Sequence, residues 1–297
     1  MDTIILGIFE EGLIYAIMSL GVYITYTILD FPDLSVDGTY PLGAAVTAAL
    51  IAGGVNPLFA FPVAFIVGVI AGMVTGVIHV KLKVRDLLSG IIVSLGLYSV
   101  NLRIAGAANV SIFSKESIFS NSLVSSLFPE GMRSFATVII LFIIVIICKI
   151  LLDLYLNTRS GYLLRAAGSN DRLVTSLAKD KGTVKILGLA LANGFVALAG
   201  GIMCQKQGFF EVSMGTGTVV IGLANVIIGT RIFRNVSFIK ATTAVIIGSI
   251  IYKACVAIAI NCGLNPGDLK LITAVLFLAI LVVSNMKKER HKKNAQA

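Results

Sequence analysis

Apolar runs of roughly 17–25 residues recur along the whole of this 297-residue chain, each long enough to cross a hydrocarbon core of ~30 Å as a helix. That recurrence predicts an all-α polytopic integral membrane protein with about eight or nine transmembrane helices. The expected spans are 3–28, 38–54, 57–80, 87–105, 134–156, 184–204, 212–230, 238–260 and 268–285, in one transmembrane domain covering 1–297. Only 13% of the residues are charged and 57% are hydrophobic, which excludes an ordinary soluble domain with about a quarter of its residues charged.

A net charge of +9 does not point to nucleic acid here, because Lys and Arg gather in the cytoplasmic loops of membrane proteins. The basic tail 286–297 and the segment Lys81-Leu82-Lys83-Val84-Arg85 fit that rule. Placing the tail in the cytoplasm puts 81–85, 158–185 and 231–240 inside and 106–133 outside. The N-terminus then falls outside, in keeping with Asp2, Glu10 and Glu11 and the absence of an early base. The first run starts at Ile4 with no basic residue before it, so it is expected to be a retained span rather than a signal peptide. The location expected is a multi-pass position in the cell membrane.

Cys148, Cys204, Cys255 and Cys262 lack metal-ligand spacing, and His79 and His291 are the only histidines. No metal site is expected. Cys204 and Cys262 both fall near the outer face, where a disulfide or two small buried thiols are the open readings. There is no phosphate-binding loop, no H-E-x-x-H and no nucleophile elbow. An ATP-driven process would therefore need its nucleotide bound by another polypeptide.

Gly68, Gly72 and Gly76 repeat at intervals of four on one helix face. Small residues let helices approach closely in lipid, either within the chain or at a seam with a second copy. The segments 33–43 and 210–217 are both polar and Gly-rich, and they lead into spans of opposite direction. That is the pattern of a weak inverted repeat with broken helices, a transporter arrangement that places a pathway near the midplane.

Polar residues inside spans face protein or water rather than lipid. Asn193 and Asn225 have two readings, an interhelical hydrogen bond or a pathway lining. Asp33 and Asp37, with Thr39 beside them, border the first broken helix, and capping that helix is the alternative role of the two acids. Lys149 and Asp153 are four apart and expected to pair. Lys253 either snorkels outward or carries charge in the pathway.

The stretch Thr158–Asp171 is polar and separates two spans. Ser169, Asn170 and Asp171 suit a helix N-cap, and Leu173, Val174, Leu177 and Ala178 follow at helical spacing. A short amphipathic helix is expected there, either resting on lipid or fitted into a groove on a soluble partner. Its brevity and the flanking Gly168 and Gly182 favour docking.

From Thr158-Arg159-x-Gly161 and Arg165-Ala166-x-Gly168-x-Asn170 onward to Ala190-Leu191-Ala192-Asn193-Gly194, and on through Gly201, the chain resembles the permease subunits of bacterial ABC importers of the branched-chain amino acid and ribose type. Phe31–Gly43, Asp86–Ile91 and Leu97–Ile104 look like an amino-acid-associated branch of them. The chain departs from relatives at Lys179-Asp180-Lys181-Gly182-Thr183, where a Gly-Ile-Asn type turn is usual.

The resemblance implies a dimer of this chain, a pair of cytoplasmic ATPases holding ATP and magnesium, and an extracellular solute-binding lipoprotein. No cofactor is expected on the chain itself. The ATPases would grip the loop of about 158–183 through Arg165, Gly168, Ser169, Asn170, Asp171, Leu173, Leu177, Ala178 and Gly182. Asp33, Asp37, Thr39, Asn193 and Asn225 would line the pathway, and Asn101 and Arg103 would contact the binding protein. The expected function is import of a small polar solute, foremost an aromatic or branched-chain amino acid, with no covalent chemistry on this chain. The alternatives are a stand-alone secondary transporter or channel, a permease for a sugar or nucleoside, and a sensor or scaffold without flux.

Overall fold

The computed structural model describes residues 2–121, 133–169, 180–234 and 238–261 continuously, with 124, 126, 236, 271, 273–275, 278, 279 and 282 besides. Helix α1 (Asp2–Val22) runs on as a π-helical turn, Tyr23–Ile28, and is followed by α2 (Val36–Ala52). A 3-10 turn, Pro57–Phe59, opens α3 (Ala60–Val80), and α4 is Asp86–Ala105. Strand β1 (Asn109–Ser111) precedes α5 (Arg133–Leu156), α6 (Arg159–Ser169) and α7 (Lys181–Gln207). Strand β2 (Phe209–Glu211) and a 3-10 turn, Val212–Gly215, lead to α8 (Thr218–Ile232) and α9 (Ala241–Asn261). Seven helical segments among the described residues are long and apolar enough to span a bilayer, and α2 is a shorter apolar helix. The expected spans up to 260 each coincide with a helix, with shifted ends, the one at 38–54 being the shorter α2; the last expected span, 268–285, lies largely outside the described residues.

Helix α7 is the axis of the bundle. Its most apolar window is 78% buried, against 22% for α4 and 28% for α5, which are peripheral. The glycine stripe of α3 explains one side of that burial. A methyl on Gly68, Gly72 or Gly76 would come closer than 3.0 Å to the α7 backbone at Asn193, Leu189 and Ala190, or Ile186. The stripe is thus an intramolecular seam rather than one with a second copy. Gly72→Ala is expected to cost about 1–3 kcal/mol through overpacking, whereas Gly96→Ala on α4, where nothing lies within 4 Å, is expected to be silent. Thermal midpoints of the two variants in detergent provide the check.

Two helices, α2 and α8, begin in the interior of the bundle. After Ile28 the chain turns within a few residues, because Pro32 has no N–H to give and disfavours helical backbone at Phe31. Asp30 adopts a left-handed φ of 51° in that turn. Helix α2 then begins beside the middle of α7: Asp33 and Ser35 meet Asn193, which lies roughly 18 Å along α7 from Lys181 by helical rise. Helix α8 begins against the first turn of α2, where a methyl on Gly215 would run into the Asp37 carbonyl. Pro41 inside α2 cannot donate to that carbonyl, so the close approach occurs where the helix ladder is already open. The N-termini of α2 and α8 thus converge in the interior, the arrangement the paired polar segments of the sequence suggested.

At the end where α7 finishes, β1 and β2 pair antiparallel, Asn109 with Glu211 and Ser111 with Phe209. Gln205 pins this cap by accepting from the Ile118 N–H at 3.1 Å and donating to the Pro57 carbonyl at 3.0 Å. Two ion pairs stand at the same end, Lys206–Glu10 at 3.2 Å and Lys253–Glu11 at 2.7 Å. Lys253 therefore has a partner in α1 and also lies 4.3 Å from the Tyr15 ring centroid. Lys149 and Asp153 pair at 3.0 Å as expected, joined at Asp153 by Lys240 and Thr242. Cys204 is buried; Cys262 lies outside the described residues.

Candidate functional site

Two polar constellations occupy the α2–α7–α8 junction. In the first, Asp33 is 4% exposed, and Ser35 and Asn193 are fully buried. Asp33 Oδ1 accepts from the Ser35 N–H at 2.9 Å and the Ser35 hydroxyl at 2.6 Å. Its Oδ2 accepts from Asn193 Nδ2 at 2.8 Å, which also donates to the Leu189 carbonyl. Thr39 donates to the Ser35 carbonyl at 3.0 Å. Asp33 therefore orders the turn before α2 and ties it to the axis, instead of capping α2 alone.

In the second, Asp37 reaches across to another helix. Its carboxylate accepts from the Gly217 N–H at 3.2 Å, the Val219 N–H at 2.9 Å and the Thr218 hydroxyl at 3.0 Å. The two amides are donors that the first turn of α8 cannot satisfy for itself, while the Thr218 hydroxyl also lies 2.9 Å from the Gly215 carbonyl, and the negative charge suits the positive end of the helix dipole. Gly217 makes the turn possible with a φ of +88°. Around the junction, Tyr40 Oη, Thr47 Oγ1 and Asn101 Oδ1 are buried and make no hydrogen bond among the described residues. Tyr40 stacks on Tyr15 with ring centroids 6.3 Å apart.

The polar segment after α5 also has structure that the sequence did not suggest. Residues Arg159–Ser169 form a helix, where the amphipathic pattern placed one only after Asn170. Thr158 starts it by accepting from the Gly161 N–H at 3.2 Å. Leu164 and Ala167 are buried while Tyr162 and Arg165 face outward, the guanidinium 6.0 Å from the Tyr162 ring centroid. Gly168 abuts the Ile28 carbonyl, where no side chain would fit. The segment thus touches the link that leads directly to Asp33. Asn170, Asp171, Leu173, Leu177 and Ala178 lie outside the described residues, as does the side chain of Ser169. Gly182 sits in the first turn of α7, which Asp180 caps by accepting from the Thr183 hydroxyl and the Gly182 and Thr183 amides. Those bonds hold the Asp180 carboxyl below its ordinary pKa, the Thr183 hydroxyl contributing most.

Residues 4–284 match the family model described as the branched-chain amino acid transport system permease component. The chain belongs to that permease family. It is 44% identical to a tyrosine transport system permease protein of Clostridioides difficile, over 98% of this chain and 95% of that one. It is 27% identical to a probable branched-chain amino acid transport permease protein of Methanocaldococcus jannaschii, covering 72% and 70% of the two chains. It is 26% identical to the ribose import permease protein of Escherichia coli K12, covering 95% and 85%. No solved structure matches the chain.

Within this permease the remaining candidates separate. Asn225 is fully buried and donates to Ser19 at 2.9 Å and Ser249 at 3.3 Å, so its amide joins α8 to α1 and α9. Asn101 was expected on an outer surface, but it is fully buried and donates to the Gly38 carbonyl at 3.1 Å. Its amide supports the start of α2 and does not offer a surface contact, whereas Arg103, two residues nearer the helix end, is exposed. Sequence reasoning passed over Ser35, Thr218 and Tyr40. The signal for Thr218 was Gly217-Thr218 at the end of a Gly-rich segment, a helix-start pattern.

Proposed function

We propose that this permease is the membrane-spanning subunit of an ATP-driven importer, and that its solute is an aromatic amino acid of the tyrosine class. The supporting observation is the 44% identity to a tyrosine transport permease across nearly the whole of both chains. ATP and magnesium belong on separate ATPase subunits in this reading, docked on about 158–183, with the N-terminus outside and the basic tail in the cytoplasm. A second copy completes the pathway, and a solute-binding lipoprotein delivers the solute at the β1–β2 end, where Arg103 is exposed.

The same reading gives the conformational change a route. ATPase closure presses on α6, whose Gly168 lies against Ile28. The 29–35 link carries that displacement to Asp33 and the start of α2, and Asp37 passes it to α8. Two packed arrangements of this junction, outward-open and inward-open, would be biased by nucleotide on one side and loaded binding protein on the other.

A secondary transporter gains one specific point: Asp33 and Asp37 stand at the interior junction, and carboxylates there are what ion coupling needs. Gentle-detergent purification from the native membrane, with mass spectrometry of what stays bound, tests between the two. An ATPase that is retained by the wild type and lost when 168–182 is replaced is the expected result. Uptake in vesicles that follows a proton or sodium gradient with no ATPase bound would overturn it.

A further inference from the structure

A cavity of about 360 Å³ opens at the end of the bundle opposite the β1–β2 cap, lined by His79, Val80, Lys83, Val84, Arg85, Lys181, Gly182 and Lys185. Four of these residues are cations and none is an acid. Like charges converge on one cavity from two elements, Lys83 and Arg85 from the 81–85 turn and Lys181 and Lys185 from the start of α7, with the end of α3 closing the third side. Its size is within the range of about 300–1,000 Å³ usual for small-molecule sites.

The turn is braced so that it presents its bases. Lys83 has a left-handed φ of 56°, uncommon for a residue with a side chain. His79 Nδ1 donates to the Val84 carbonyl at 2.9 Å, and its ring stands edge-on to Phe31 with centroids 4.9 Å apart. Gly182 lets α7 approach so closely that a methyl there would run into Val80. The two acids adjacent in sequence to the lining bases are engaged at helix starts, Asp180 capping α7 and Asp86 accepting from the Leu87 N–H at 2.9 Å in the first turn of α4.

The surroundings indicate which anion would fit. Moving from the cavity toward the middle of the bilayer, α3 exposes Val77 and Val74 (43% and 46%) and α7 exposes Leu187 (44%), while Leu82 of the turn is 67% exposed. Exposed apolar side chains of α3 and α7 thus lie within about two helical turns of a basic cavity at the ends of two candidate spans. A soluble anion has no use for that surface, but a phospholipid uses both parts, acyl chains along the helices and headgroup among the bases.

We propose that this cavity binds the phosphate headgroup of an anionic phospholipid. Bound there, the lipid would hold the 81–85 turn against the start of α7, at the end of the segment from 158 to 183. The site does not depend on the solute or on an ATPase, so its test reads lipid alone.

The full chain, purified and placed in nanodiscs of phosphatidylcholine with a minor share of phosphatidylglycerol, is expected to retain phosphatidylglycerol selectively by native mass spectrometry. The Lys83→Gln and Arg85→Gln variants are each expected to reduce that retention roughly fivefold. Lys240→Gln, a 64% exposed cation at the same end, is expected to leave it unchanged. All three should elute as monodisperse protein, since none of these side chains is in the packed interior. Retention unchanged in the Lys83 and Arg85 variants would overturn the proposal. So would displacement of phosphatidylglycerol by millimolar inorganic phosphate, which marks a soluble-anion site. Loss of a bound acidic protein with lipid retention intact would also overturn it, by assigning the patch to a protein surface.

Discussion

An Asp37→Ala permease is expected to lose uptake entirely and to unfold at a clearly lower temperature than the wild type. The substitution removes the shared acceptor of the Gly217 and Val219 amides and the Thr218 hydroxyl. Hydrogen bonds to a charged group contribute about 1.5–3 kcal/mol each when intact, and orphaned donors away from water lose more than the bond itself. Because Asp37 is only partly buried, the combined stability loss is expected to be about 3 kcal/mol rather than the sum of three full bonds. Cys148 and Cys204 are buried and Cys255 is exposed, so in a Cys255→Ser background a thiol-reactive dye can follow unfolding during heating.

Asp37→Asn keeps one acceptor oxygen but sets its NH2 against the Val219 or Gly217 amide, and it removes the charge that favours the α8 N-terminus. It should fold better than the alanine variant and still transport poorly. Proline at 41 is part of the same device: Pro41→Ala would restore the ladder bond to the Asp37 carbonyl and straighten the first turns of α2. Uptake and midpoint both at the wild-type level in Asp37→Ala would show that α8 finds other partners and that the junction does not carry the conformational change.

The spans were legible because lipid imposes a demand that a single chain cannot meet any other way: about twenty apolar residues, every time. The start of α2 in the interior was legible too, from Asp33, Gly38 and Pro41 breaking an otherwise apolar stretch. Its partners were not. Asp33 meets Asn193, and Asp37 meets Val219, across separations of 160 and 182 residues, and no local periodicity encodes such pairs. Asn101 illustrates the opposite error. A polar residue near a helix end reads as exposed, yet α4 packs on α2 and turns that side chain inward to Gly38. The β1–β2 pair was invisible because strands of three residues carry no pattern. Helix α6 was missed because the apolar periodicity and the N-cap residues pointed to a helix only after Gly168, whereas the structure uses Gly161 and Gly168 inside an earlier helix, for contact with Tyr155 and Leu156 and with Ile28.

The second large effect is expected at Asp33. Asp33→Ala leaves Ser35 and Asn193 buried with donors that have lost their acceptor, in a network whose members are all out of reach of water. A loss of about 3 kcal/mol or more is expected, with little protein recovered from the membrane. Asp33→Asn is more informative, because it keeps the shape and changes only the polarity. Three donors point at the Asp33 oxygens, so an amide there must turn its NH2 toward the NH2 of Asn193 or toward Ser35. Exchanging the two, Asp33→Asn with Asn193→Asp, restores one acceptor and one donor across the same gap. The double variant is therefore expected to recover part of the stability and of the ATP-dependent uptake that each single change loses, a coupling that a double-mutant cycle reads directly. If Asp33→Asn instead stays fully folded while uptake becomes independent of pH and of the proton gradient, Asp33 carries a proton. The secondary-transport reading would then replace the importer.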